Sequence, residues 1–552
     1  MRKNKITLAV IAALAIVLVS FQSCKKDAIE DSTEKGMDRI SYFPNGERTT
    51  APSGSTILGV KLANPYTVSN MQEAYDNLIA EDPTFPVISI IANHKYVKFM
   101  PQNEAQLDLL KRDTTIILYD IPLDYEIVKN GTFYHDPSLP DSAITYQYCS
   151  VPVSKVLPGI PHSILEYLYI PPMEYDPLLR GEDEMIPYYE ALEEEALRIT
   201  DNLDSDENTR ANHWTPAGTI KMIDDVLGTV PIAGVKVKAR RWFVTHTGIT
   251  NAQGYFVCDG QFKRPANYSF EWERYHFSIR DGRYGQAKYD GPKQEGDWNL
   301  VISGGTPEFH AIIFRAAFHY YYGNIQNLRR PPLNDVWESQ MKISAMYEEN
   351  SDLMGVHYGH WLFTTGIFSR IKIYNPQELS DVIYSAVIHE LAHAVHWSMD
   401  TDLYNEYDAL GIDRIVKESW ASGVQWVLTK MVYPNYVNDN YIRCLYTGVV
   451  EDMIDGFGNK VTTQYCYEID GAYVVANEGL LYYDRVTGYT VKQIENALVG
   501  TQTWNAWRDK MRGMYNNSTE VHLNSAFKYW NTQTDDPGVS PPIEYDDPPL
   551  IN

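Results

Sequence analysis

From Ser55 onward the apolar positions switch between two periods. Thr56–Leu62, Val87–Ile91, His94–Phe99 and Thr114–Tyr119 read as strands, while Thr67–Leu78 and Asn103–Lys111 carry helical spacing behind the cap residues Thr67 and Asn103. Residues 37–203 are therefore expected to hold an α+β module. Within them, 120–185 is rich in Pro and Tyr with little periodicity and predicts irregular structure. Pro187–Leu203 predicts an amphipathic helix, followed by a polar linker at Asp204–Asn212.

Short strand-like runs separated by turn residues fill 216–300 and predict a small β-sandwich. From 304 to 530 helical spacing dominates. Thr306–Tyr322 predicts a buried helix ended at Gly323-Asn324, and Trp361–Tyr374 a strand, either in the core or at an edge where an extended peptide could pair. Asn375-Pro376-Gln377-Glu378 reads as a cap, a first-turn proline and a capping-box Glu for a long helix, and Thr490 with Gln493 starts a late one. Residues 533–552 form an acidic, proline-rich tail expected to be disordered. The fold class that follows is multidomain α+β, with a mainly helical C-terminal domain. The order of elements in the first module resembles ferredoxin-like folds.

The helix after Asn375 carries the clearest chemistry. Val387–Trp397 contains His389, Glu390 and His393, and residues four apart on a helix share one face. Two imidazoles so placed can bind one metal, and Glu390, one step round, can act as base on a water. A catalytic zinc needs a third ligand. His396 lies on nearly the same face but a turn beyond His393, too far along the axis for the same ion. Glu418 lies within Ile415–Trp426, whose apolar spacing predicts a second helix.

At this point the chain resembles the gluzincin metallopeptidases. Glu418, Ala421 and the aromatic Trp426 match the family's second-helix pattern, with Ser419 where Gly is common, and the metzincin extension of His393 is absent. The resemblance implies a zincin-like catalytic domain over 304–530. It also implies Zn²⁺ held by His389, His393 and Glu418, with Glu390 as general base. Ser422, four residues after Glu418, is no acidic partner, so what orients the histidines stays open. Glu478 in Asn477-Glu478-Gly479-Leu480 is a distant second choice for the third ligand. The family's oxyanion donor could be any of Tyr465, Tyr467, Tyr473, Tyr482, Tyr483, His357 or His360. His310 and His319, nine apart, read as structural.

Two further resemblances refine the picture. Pro231–Val237 with Thr250–Phe256 resembles carboxypeptidase-regulatory-like, transthyretin-like sandwiches, which scaffold or bind. Arg2, Lys3 and Lys5, the apolar run Ile6–Val19 and then Phe21-Gln22-Ser23-Cys24 resemble a bacterial lipoprotein leader. That implies a signal peptide over 1–23, lipidation at Cys24, a tether over 24–36 and an outer-membrane lipoprotein, with Lys25, Lys26 and Asp27 resembling a surface-sorting stretch.

Composition narrows the partners. With 552 residues, 44% apolar content and a formal charge of −25, the chain is globular and unsuited to nucleic acid or an anionic membrane surface. Cys149, Cys258, Cys444 and Cys466 lack C-x-x-C spacing; Cys444 with Cys466 is the pair nearest in sequence. The expected function is hydrolysis of peptide bonds in a peptide or protein substrate at the bacterial surface, with the lipid anchor as the membrane contact. The competing expectation is a non-catalytic surface lipoprotein that binds host protein or glycan on a vestigial zincin scaffold. Oligomeric state is left open.

Overall fold

The computed structural model describes residues 54–172, 184–203, 213–282, 285–335, 339–347, 354–357, 371–404, 411–438, 441–469 and 472–531, with the side chains of 356–357 and 459–482 excepted. The expectations for the leader, Cys24, the tether, the linker and the tail lie outside them. Among the described residues no helix is long and apolar enough to cross a membrane. The protein is a multidomain mix of helices and several sheets.

In the N-terminal region the predicted helices form. Val68–Glu81 starts where the Thr67 side chain accepts from the Asn70 amide, and Glu104–Arg112 where Asn103 accepts from Gln106. The ferredoxin-like sheet does not form. Ile57–Lys61 pairs with Tyr125–Lys129, and a separate three-stranded antiparallel sheet centres His94–Phe99 between Gln147–Pro152 and His162–Leu168. Three of these strands come from the segment expected to be irregular. Val87–Ile91 buries Ile88 and Ile90 on one side but pairs with no strand, and Thr114–Tyr119 is a turn ending in a single bridge from Tyr119 to Tyr148. Alternation there records one-sided burial without a ladder.

The sandwich is present as two four-stranded sheets. One joins Tyr255–Val257, Ala217–Asp224, Trp298–Ile302 and Gly228–Pro231; the other orders Lys288–Gln294, Ala266–Glu271, Lys236–Arg241 and Val244–Ile249. Val235, Val237, Phe256, Phe270 and Trp298 fill the space between them.

One stretch inside the expected sandwich belongs elsewhere. Phe277–Asp281 pairs in parallel with Met341–Ala345, which pairs in parallel with Ile371–Ile373, and Gly355–His357 closes the edge antiparallel to the last. Gly285–Gln286 flanks the opposite edge of this five-stranded sheet. Of the predicted strand Trp361–Tyr374, the described part is the interior strand Ile371–Ile373, so the edge role falls to Gly355–His357.

The two faces of this sheet differ chemically. Phe277, Ile279, Met341, Ile343 and Ile371 pack against helices Gly305–Tyr322 and Ser380–Met399, within one core that also takes in the sandwich. On the other face Arg280 and Lys342 are buried, and the N-terminal helix Glu104–Arg112 meets them. Arg280 donates to Glu104 at 3.0 Å, and Lys342 pairs with Glu104 at 2.8 Å and Asp108 at 3.1 Å. Burial opposes the Glu104 charge, but Arg280 and Lys342 outweigh it and hold its carboxyl below the usual range. Against the sandwich, Lys238 donates to the Leu118 carbonyl, Arg240 to the Leu123 carbonyl and Lys288 to Asp120. The N-terminal region is thus docked on the face of the sheet opposite the His389 helix.

Cys149, Cys258 and Cys444 are free, buried thiols, so Cys444 is not disulfide-bonded to Cys466. Burial pushes Cys149 and Cys258 up to about 12.

Candidate metal centre

The helix bearing His389 runs Ser380–Met399, later than the sequence predicts. Asn375 has a φ of 55°, incompatible with an N-cap, and the chain turns once more before the helix begins. The cap comes from far away: Asp225, at the end of a sandwich strand, accepts from the Ser380 amide at 2.9 Å. Its neighbour Asp224 is buried and receives Arg315 of the backing helix at 2.6 Å and the Tyr433 hydroxyl at 2.7 Å. The sandwich thereby fixes both helices that underlie the site.

Glu418 sits on the helix Arg414–Lys430, packed along Ser380–Met399. Ser419, where the family pattern has Gly, bonds Thr447 Oγ1 at 2.8 Å. The three residues singled out in the sequence converge. His393 Nε2 lies 3.1 Å from His389 Nε2 and 3.1 Å from Glu418 Oε2, and His389 Nε2 lies 3.3 Å from that same oxygen. All three residues are buried.

Both imidazoles are held from behind. His389 Nδ1 lies 3.0 Å from Gln425 Oε1, an acceptor, so Nδ1 carries the proton and the Nε2 lone pair faces the cluster. Gln425 is itself fixed, its Nε2 donating to Ser385 Oγ and the Tyr436 hydroxyl at 3.0 Å each. His393 Nδ1 meets the Tyr404 hydroxyl at 3.1 Å. These are the orienting groups that sequence reasoning left unassigned. Gln425 is seven residues after Glu418, two turns along one helix face, which is the signal that could have found it. Tyr404 stands on the short helix Thr401–Tyr404, and nothing in its local sequence marks it.

This donor set fits a cation. Two nitrogen lone pairs and a carboxylate oxygen crowd one point, and tetrahedral ligation at about 2.0–2.1 Å separates ligand atoms by about 3.3–3.4 Å. Burial opposes the Glu418 charge, yet the histidines beside it hold its carboxyl well below the usual range. For His389, burial pulls the pKa down, but Glu418 and Glu390 outweigh it and raise it.

Glu390 is buried next to the edge strand. Gly355 passes so close that a Cβ there would stand 2.7 Å from Glu390 Cγ and 2.8 Å from Oε1. A glycine is required at that crossing. The Tyr446 ring lies 6.1 Å from that of His389 on the other side.

His396 stays outside the cluster. It is fully buried against Tyr404, ring centroids 5.2 Å apart, and burial, then His393 and Lys417, push its pKa well down, leaving a neutral imidazole. His319 bonds the Tyr384 hydroxyl at 2.7 Å and the Asn324 carbonyl at 2.9 Å, and His310 bonds the Tyr347 hydroxyl at 2.7 Å, all structural contacts. Of the suggested oxyanion donors, Tyr483 is exposed. The side chains of Tyr465, Tyr467, Tyr473, Tyr482, His357 and Glu478, and all of His360, lie outside the described residues.

No family model matches the chain, and no curated protein does. A solved structure of Klebsiella pneumoniae 5-hydroxyisourate hydrolase is similar over 17% of this chain and 91% of its own, at 22% identity and a TM-score of 0.12. That likeness, short and of low score, carries no argument about fold or activity.

Proposed function

We propose that the protein is a zinc-dependent peptidase of gluzincin type, with His389, His393 and Glu418 as the metal ligands. The observation that carries this reading is the convergence of three buried donor atoms at 3.1–3.3 Å, each imidazole oriented through its far nitrogen. Zinc bound there would supply a Lewis acid for a scissile carbonyl and acidify a water.

The chain's own residues do the rest. Glu390 accepts the proton of the attacking water and returns it to the leaving amine. The strand Gly355–His357 is the sheet edge beside Glu390, where an extended peptide can add as a further strand and bring its carbonyl to that carboxylate. Gln425 and Tyr404 keep both imidazoles aimed. Tyr446 offers a phenol on the His389 side. Anchorage through lipidated Cys24 at the bacterial surface belongs to the same proposal.

The test is zinc stoichiometry and cleavage of a peptide library by the wild type and Glu390→Gln. The reading expects one zinc per chain in both and cleavage by the wild type alone. A wild-type protein without stoichiometric zinc overturns it. Zinc without any cleavage supports the binding-protein alternative. Palmitate labelling lost in Cys24→Ala tests the anchor.

A further inference from the structure

A second concave site lies where the N-terminal region meets the sandwich, lined by no residue of the metal-bearing helices. It is a cavity of about 530 Å³ walled by both units. The hairpin between Lys236–Arg241 and Val244–Ile249 projects into it. Its tip holds Trp242 at a φ of 50°, a left-handed conformation that a bulky side chain rarely adopts, and inserts Phe243 into the core of the N-terminal region.

The residue beside that strained tip is Arg241. It lines the cavity and is 8% exposed, and the structure gives its guanidinium no hydrogen bond or ion pair; Nε is buried without an acceptor. Other charges in the wall are matched. Glu190 takes Lys263 and His213, Glu193 accepts the Tyr66 hydroxyl, and Arg264 pairs with Glu194. Burying a guanidinium without a partner is costly, so a chain with 72 acidic residues against 47 basic ones would ordinarily supply one. Here the partner is left to come from outside.

We infer that this cavity is a binding site for a carboxylate-bearing small molecule, with Arg241 as its anchor. The planar fork of a guanidinium matches the two oxygens of a carboxylate. Around it, the rings of Tyr66, Phe243 and Phe262 and the faces of Pro171 and Pro172 supply an apolar surface, suited to a ligand with a ring or apolar body. A carboxylate of that kind could terminate a peptide or belong to an acidic sugar, and both share the recognised group.

Calorimetric titration of the purified full chain separates these sources, using hippurate against hippuramide and glucuronate against glucose. At least one acid is expected to bind about tenfold or more tightly than its neutral counterpart. Arg241→Met abolishes the preference, and Arg241→Lys, which keeps the charge but loses the fork, reduces it. Zinc content stays unchanged in both. Without ligand, Arg241→Met melts no lower than wild type, because it removes a charge with no partner. Equal binding of acid and neutral form, binding of neither acid, or a lower Tm of unliganded Arg241→Met overturns the inference.

Discussion

Replacing Gln425 by Leu tests whether the centre is organised as its hydrogen bonds indicate. Leu fills a similar volume but cannot accept from His389 Nδ1, nor donate to Ser385 Oγ and Tyr436, three contacts of 3.0 Å each. Ser385 keeps its bond to the Val382 carbonyl, so the groups stranded are the imidazole N–H and the Tyr436 hydroxyl. Each stranded buried group costs about 1–3 kcal/mol. Loss of the partner behind a metal-ligating histidine lowers metal affinity by about 10–100-fold, or roughly 1.4–2.7 kcal/mol. Gln425→Glu keeps an acceptor and makes the imidazole more basic, so it should hold zinc at least as tightly as wild type. Chelator competition at fixed pH reads all three affinities, and circular dichroism checks the fold. A folded Gln425→Leu protein with wild-type zinc affinity would refute this account of how His389 is aimed.

Three other outcomes are expected. Gly355→Ala forces a methyl to within 2.7 Å of Glu390 Cγ, so kcat falls sharply on any peptide the wild type cleaves while zinc content is kept; unchanged kcat would dissociate the edge strand from Glu390. Burial pushes Asp281 up to about 6 despite hydrogen bonds from Thr132 and Tyr347. Between about pH 4 and 6 the native state therefore holds a proton that the unfolded chain has released, and stability falls as pH rises through that window, by roughly 3 kcal/mol when complete. His310, 3.8 Å away, does not offset this, since burial lowers it to about 3 and keeps it neutral. Urea melts of Asp281→Asn should show that part of the slope removed and a gain at pH 7.5; parallel profiles for variant and wild type would contradict it. Deleting residues 54–203 leaves Arg280, Lys342, Lys238 and Lys288 without their buried partners, so the remainder should be largely insoluble; a soluble fragment with the full-length Tm would show the docking to be dispensable.

What the sequence revealed and concealed divides by range. Elements announced by neighbours came through: the caps at Thr67, Asn103 and Thr490, where the capping box is complete, and the i, i+4 spacing of His389 and His393. Glu418 was legible through the family's helix pattern, and its approach to both imidazoles follows from two apolar helices packing side by side. What depended on distant partners did not come through. Asp225 caps a helix 155 residues later, so the local signal at Asn375 misled. The strands at Tyr125–Lys129, Gln147–Pro152 and His162–Leu168 are ladders completed by other segments, and their Pro- and Tyr-rich setting masks alternation. Gln425 and Tyr404 acquire their roles from the fold.

The excursion of Phe277–Asp281 out of the sandwich also sets an order of assembly. This strand leaves the ribosome before its parallel partner Met341–Ala345, and long before the helix that carries Glu418. A parallel pairing of such separation closes late. Until it does, the sheet under the His389 helix lacks its interior, and the three donor atoms have nothing to hold them together. A growing or half-exported chain thus carries the letters of the metal centre without the centre itself, and the cell that makes the protein is spared its chemistry until synthesis is nearly finished.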